Sequence, residues 1–198
     1  MRWLIVHANP DPDSYSAALR DQALASLASA GHDVRLIDLY ALGFNPNFTE
    51  DEHRNYLEVA LDHPDPLVVA HIELLRWAEG LVLVYPTWWC TLPAMLKGWL
   101  DRVFLPHVAF TLHPKTQRVT PALTNIRRLV GITTCSVPYW WLRLVGDGGR
   151  TTIGRAVRLV CHRRTKVRWL ALGSVHRRSA GERQQFLSQV DRRLRELS

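Results

Sequence analysis

The sequence predicts a three-layer α/β fold: one doubly wound domain over residues 1–198, with a five-stranded parallel sheet at its centre. Three observations lead there. Five short, nearly continuous apolar runs recur along the chain, as strands covered on both faces do. A segment with helical spacing follows each run, so β-α repeats five times, the pattern of a parallel sheet with helices on both sides. Apolar residues make up 47% and charged residues 22% of the 198 positions, the balance of one ordinary globular core.

The elements follow in order. Trp3 to Ala8 reads as the first strand. The polar stretch Asn9-Pro10-Asp11-Pro12-Asp13 comes next, and Ser14 or Ser16 can cap a helix running to Ala30, where Gly31 supplies the stop signal. Val34 to Leu39 is the second strand. Residues 40–66 read as irregular, punctuated by Pro46, Pro64 and Pro66. Leu67 to Trp77 is helical. Leu81 to Tyr85, five apolar residues between Gly80 and Pro86, is the third strand. Pro93 suits the first turn of a helix that runs to Phe104. Residues 105–126 form a long excursion. Arg128 to Thr133 is the fourth strand, Thr151 to Cys161 a helix, Val167 to Leu172 the fifth strand, and Ala180 to Leu197 the closing helix. No repeat and no Gly/Ser-rich linker divides the chain.

Composition excludes other classes. A disordered chain lacks this apolar content. With 11 Gly, 11 Pro and 3 Cys the chain is neither collagen-like nor a disulfide scaffold. No apolar stretch approaches the roughly 20 residues of a membrane span, and Trp3 to Ala8 is too short for the core of a signal peptide. Cys90, Cys135 and Cys161 are odd in number and lack metal-ligand spacing, which favours a reducing cytoplasm and no metal site. The net charge of +7 hides an asymmetry: residues 1–99 carry 6 basic and 13 acidic side chains, residues 100–198 carry 19 and 5. A basic half suits an anionic partner or simply a solvated face. No nucleic-acid motif accompanies it, so nucleic acid is not expected.

In doubly wound folds ligands sit beyond the carboxyl ends of the strands, at a topological switch point. That rule selects residues 9–16, 86–93 and 134–149. The first loop has neither Gly-x-Gly-x-x-Gly nor Gly-Lys-Ser/Thr, which disfavours a dinucleotide or triphosphate loop. It offers His7, Asn9, Ser14, Tyr15 and Ser16 ahead of a helix N-terminus, an arrangement suited to a phosphate, although capping alone accounts for the serines. The second loop, Pro86-Thr87-Trp88-Trp89-Cys90, places two Trp where they either pack in the core or bury a flat partner. The third, Thr133-Thr134-Cys135-Ser136 and then Tyr139, again brings hydroxyls and aromatics after a buried strand. A phosphate site beside a flat-ring platform describes a flavin nucleotide.

These residues carry a resemblance. Tyr85 through Phe104, with Tyr-Pro-Thr-Trp-Trp-Cys leading into Pro93-Ala94-Met95-Leu96-Lys97-Gly98-Trp99, resembles the signature of the NAD(P)H:quinone oxidoreductase family. His7 with Ser14-Tyr15-Ser16, and Asp38-Leu39-Tyr40 with Phe44-Asn45-Pro46, are also similar to that family. The likeness spans the chain and weakens in its last third, where Leu144-Val145-Gly146-Asp147 is similar to bacterial NAD(P)H-dependent oxidoreductases. It implies a flavodoxin-like fold and a two-electron flavoenzyme, usually a homodimer, that moves electrons from NAD(P)H through flavin to a quinone or similar acceptor. By position, Ser14, Tyr15 and Ser16 would hold the flavin phosphate. Pro86, Thr87, Trp88, Trp89 and Cys90 would line the ring, and Thr133, Thr134, Cys135 and Ser136 would reach its other edge. FAD is favoured, with FMN as the alternative.

The sequence also departs from the family. Relatives carry glycines after the fourth strand, where Cys135-Ser136 stands here, and side chains there would crowd the ring or shift the loop. Quinone reductases of this family place a Tyr and a His in this loop to steady the reduced flavin; the resemblance makes Tyr139 the stand-in and candidate catalytic residue, while no His lies in residues 114–161. His107 and His113 in the excursion and the clusters His162-Arg163-Arg164 and His176-Arg177-Arg178 are further candidates for acceptor or anion contacts. Two other functions fit less closely: a flavin-binding accessory subunit in peripheral contact with a membrane transporter, and a one-electron carrier.

Overall fold

Successive side chains of a strand point to opposite faces, and the first strand shows what that does here. In a computed structural model describing residues 1–58 and 63–197, Leu4 and Val6 enter one apolar core while Trp3 and Ile5 enter another, on the far side of the same sheet.

Five parallel strands build that sheet: β1 (Arg2–His7), β2 (Asp33–Asp38), β3 (Gly80–Pro86), β6 (Arg128–Thr134) and β7 (Lys166–Leu172), in the order β2-β1-β3-β6-β7. Helices α1 (Tyr15–Ser29) and α7 (Ala180–Arg195) cover one face, through Leu19, Ala23, Leu27, Phe186, Val190 and Leu194. Helices α3 (Pro66–Trp77) and α4 (Ala94–Val103) cover the other, joined by Ile153 and Val157 of a π-helical stretch (Thr152–Val157) that continues α6 (Gly148–Thr151). β1, β3 and β6 are central and almost wholly buried. β2 and β7 lie at the edges and mix exposed with covered residues.

The N-terminal signals act as read. Ser14 caps α1 by accepting from Ala17 N–H at 3.2 Å, and Gly31 follows the helix with φ +80°. Pro93 is the N-cap residue of α4. In that helix Gly98 sits against Pro46: a Cβ at 98 would fall 2.2 Å from the Pro46 carbonyl oxygen, so only glycine permits the approach.

Three stretches hold more structure than the sequence reading gave them. Residues 40–66 include the short helix α2 (Glu50–Arg54), nucleated by the Thr49–Glu52 capping box; residues 59–62 of that span lie outside the described residues. The segment is fixed to α4 by buried Arg102, which donates to Glu52 Oε1 at 2.6 Å, Asp65 Oδ2 at 2.9 Å and the Asn45 carbonyl at 2.7 Å. The excursion 105–126 contains a hairpin of β4 (Phe110–Leu112) and β5 (Val119–Pro121). Residues 134–149, expected as a loop, fold into α5 (Tyr139–Val145) behind Pro138, and the following helix starts at Gly148 rather than Thr151. Pattern could not reveal α5: Trp140, Trp141, Leu144 and Val145 are apolar yet exposed, and Arg143 alone beside them is too little polar surface to give a period.

Candidate functional site

Strand order reverses between β1 and β3, because β1 leads outward to β2 while β3 leads to β6. The crevice this opens lies where the loops after β1, β3 and β6 meet. A cleft of about 380 Å³ fills it. From the first loop come Asn9, Asp11, Ser14, Tyr15 and Ser16; from the second Pro86, Thr87 and Trp88; from the third Thr134, Cys135 and Ser136. A second cleft of about 720 Å³ shares Thr87, Trp88, Cys135 and Ser136 with it and adds Trp89, Cys90, Val137, Trp141 and Leu142. Most of the residues expected at the site therefore meet on two adjoining hollows.

At the α1 end the chemistry suits an anion. The first N–H groups of a helix have no partner inside it. Ser14 Oγ satisfies Ala17, which leaves the Tyr15 and Ser16 N–H groups at the positive end of the helix dipole. Arg183 of α7 and His176 of the turn after β7 complete this wall. Sequence reading missed Arg183 because it lies in the closing helix, far along the chain. His176 stood out only as part of a basic cluster. Tyr15 donates its hydroxyl to the Arg183 carbonyl at 2.7 Å, and burial pushes that hydroxyl up to about 12, so it stays protonated and clamps α1 to α7.

His7 lies behind this wall. It is fully buried, with Nδ1 2.9 Å from Asp38 Oδ2 and Nε2 3.4 Å from Ser16 Oγ. Burial lowers its pKa even though Asp38 opposes the shift. The neutral ring thus donates to Asp38 and accepts from Ser16, orienting the serine instead of lining the cleft. Thr133 is likewise buried. Its hydroxyl is 2.8 Å from that of Thr87, and Thr87 N–H donates to the Thr134 carbonyl at 2.7 Å, so the second and third loops are tied together.

The ring platform is a tight turn. Trp88 N–H donates to the Thr91 carbonyl at 3.2 Å and Thr91 N–H returns to Trp88 at 3.0 Å. The two residues between them, Trp89 and Cys90, have φ of 48° and 59°, the left-handed region that side chains rarely adopt. This strain holds the Trp89 ring 98% exposed at the rim. Neither Cys135 nor Ser136 has positive φ, so the third loop carries its side chains without that strain. Cys135 is buried and its thiol donates to the Val137 carbonyl at 3.2 Å, whereas Ser136 is exposed. Burial raises the Cys135 thiol, with Asp147 adding to the effect, so the thiol stays protonated.

Tyr139 lines neither hollow. Its hydroxyl donates to Asp147 Oδ2 at 3.2 Å, and burial raises its pKa against the pull of Arg150. Asp147 also caps α6 by accepting from Arg150 N–H at 2.9 Å. The tyrosine thus braces the end of the third loop. Among the other histidines, His107 sits in the excursion with φ 65°, and neither it nor His113 lines these hollows.

Comparison with known proteins agrees with this fold. A family model described as a flavodoxin-like fold matches residues 1–144. The ribosyldihydronicotinamide dehydrogenase-like protein traD of Penicillium crustosum is 35% identical over 120 residues, which is 52% of this chain and 44% of that protein. NAD(P)H dehydrogenase [quinone] 1 of Rattus norvegicus is 31% identical over 147 residues, 67% of this chain and 53% of the rat protein. The chain spans about half the length of these curated relatives. The crystal structure of Smu.1420 from Streptococcus mutans UA159 superposes with a TM-score of 0.83 at 30% identity, covering 99% of this chain and 100% of that one.

Proposed function

The chain belongs to the flavodoxin-like-fold family whose model spans residues 1–144, and from that premise we propose that it is a flavin-dependent NAD(P)H oxidoreductase acting on quinones or similar acceptors. One observation carries the reading: three loops, distant in sequence, bring a phosphate-suited helix N-terminus and an aromatic platform to the point where strand order reverses.

The residues present fit a flavin nucleotide. Ser14, the Tyr15 and Ser16 N–H groups, and Arg183 would hold the phosphate, with His7 orienting the Ser16 hydroxyl. Thr87, Trp88, Thr134 and Ser136 would border the ring, and Trp89 would cover acceptors at the rim. Two-electron transfer from a reduced nicotinamide to a quinone-type acceptor is the chemistry a bound flavin supplies there; orientation and exclusion of water fall to the protein. No side-chain nucleophile is called for.

FAD is the proposed form, from the family resemblance. The phosphate and ring contacts are shared by FMN and FAD, and no described residue of 40–66 lines either hollow. Adenosine contacts would therefore come from elsewhere, which fits a proposed homodimer. Trp89, Trp140 (69% exposed) and Leu144 (78% exposed) are apolar side chains left open that a second copy would cover. No helix among the described residues is long and apolar enough to cross a membrane. Free Cys90, Cys135 and Cys161 support the cytoplasm as the proposed compartment.

The test is direct. Purified protein should be yellow, or become so with FAD or FMN, and should oxidise NADH or NADPH when a quinone is present. Mass spectrometry of the flavin released by heat decides between FAD and FMN. A colourless protein that neither flavin reconstitutes overturns the reading.

A further inference from the structure

A second feature lies apart from the flavin cleft and shares no lining residue with it. A cleft of about 580 Å³ is bordered by Arg143, Arg150, Arg155, Arg168 and Arg193, from five different elements, and by no carboxylate. Arg193 pairs with Glu196 at 3.2 Å. The guanidinium groups of Arg143, Arg155 and Arg168 have no hydrogen-bond or ion-pair partner among the described residues.

The same cleft follows the open edge of the sheet. Four consecutive residues of β7, Val167 through Leu170, line it. Successive side chains point to opposite faces, so a hollow touching all four runs along the strand's edge. Among the described residues, β7 pairs only with β6. Lys166 N–H donates to the Arg127 carbonyl at 3.1 Å, and the Leu172 carbonyl accepts from Cys135 N–H at 3.0 Å. In a parallel ladder alternate residues turn their main-chain groups to the same neighbour. Lys166, Arg168, Leu170 and Leu172 therefore face β6, while the N–H and C=O groups of Val167, Trp169 and Ala171 face outward without a partner strand.

We propose that this edge is a docking site for an extended acidic polypeptide segment of a partner protein, which adds to the sheet beside β7 and sets its carboxylates against Arg143, Arg155 and Arg168. The main chain of such a segment satisfies the open edge, and its side chains satisfy the arginines. Charge decides among occupants. A second copy's β7 brings its own Lys166 and Arg168, and like charges facing one another oppose that pairing. A nucleic-acid strand meets the arginines but offers no alternating donors and acceptors to the main chain.

The probe is a fluorescein-labelled peptide of alternating Glu and Val, followed by fluorescence anisotropy at physiological salt. The readout needs neither flavin nor enzymatic activity, so its outcome is independent of the proposed reaction. The peptide should bind, and affinity should fall about tenfold or more in the R143Q/R155Q/R168Q protein. It should fall as far in Gly154→Glu, which puts a carboxylate in the cleft where a Cβ meets nothing within 4 Å. That single change, at a half-buried glycine with open space beside it, keeps the test decisive should the triple variant fold poorly. A peptide with proline at alternate positions, lacking the N–H groups of one edge, should bind weakly. Equal binding of the proline peptide, tighter binding of oligo-dT, or unchanged affinity in Gly154→Glu would each overturn the proposal.

Discussion

The indole Nε1 of Trp99 donates to Nδ1 of His71 at 3.3 Å, inside the core where α4 packs on α3. The bond requires an unprotonated Nδ1, and burial agrees, lowering His71 from 6.5 to about 4. The unfolded chain therefore binds a proton between those values that the folded one refuses, so stability is full above pH 6.5 and falls as pH drops toward 4. The loss attributable to this residue is about 3 kcal/mol. Urea unfolding followed across that window should show it, and His71→Asn, whose amide oxygen can still accept from Trp99, should flatten the slope. An unchanged slope would show that another group dominates.

Arg102 and Glu52 are both buried, and their pairing joins α2 to α4. Burial alone would raise the Glu52 carboxyl, yet hydrogen bonds from Arg102 and Thr49 bring it below the ordinary range. Arg102→Met leaves that buried carboxylate without its guanidinium partner and should cost about 3–5 kcal/mol. Adding Glu52→Gln should recover part of the loss, read from denaturant midpoints.

Gly98→Ala drives a methyl group into the Pro46 carbonyl, which is main chain and cannot turn aside. The expected cost is about 1–3 kcal/mol despite alanine's better helix propensity. A raised melting temperature in this variant would mean that the loop at Pro46 yields.

The left-handed turn at Trp89 and Cys90 predicts a gain. Cys90→Gly relieves one strained residue and should stabilise the protein by about 1 kcal/mol, seen as a higher melting temperature. Trp89→Gly should also stabilise the turn, but it removes the rim ring and should raise KM for the acceptor.

Flavin binding should follow the walls of the cleft. Arg183→Ala should weaken it about tenfold, the loss of one charge-assisted contact. Ser136→Gly clears an exposed side chain from the ring border and should tighten binding, whereas Cys135→Gly should not, because that thiol is already buried and engaged with Val137. Fluorescence titration of the flavin measures all three.

Much of this site could be read from the sequence, for a physical reason. Buried parallel strands are near-continuous apolar runs, so Leu81–Tyr85 and Trp3–Ala8 announce themselves, and topology then places the loops that follow them. Ser14 and Pro93 act through neighbours one to three residues away, which a linear reading can see. Contacts across long separations stayed hidden: Arg183 at the phosphate wall, His7 turned to Asp38, and Thr133 bound behind Thr87. The strained turn was hidden too, because neither Trp89 nor Cys90 is a residue that signals positive φ.

The order β2-β1-β3-β6-β7 has a consequence for synthesis. β3 is buried in the finished sheet, but its second neighbour is not made until residue 128 and beyond. While the ribosome works through the intervening residues, β3 presents Leu81–Pro86 as an unpaired apolar margin of a three-stranded nascent sheet. Release of the chain before β6 would leave that margin open permanently, so truncated products are expected to aggregate, and occupancy by a chaperone should peak in that interval.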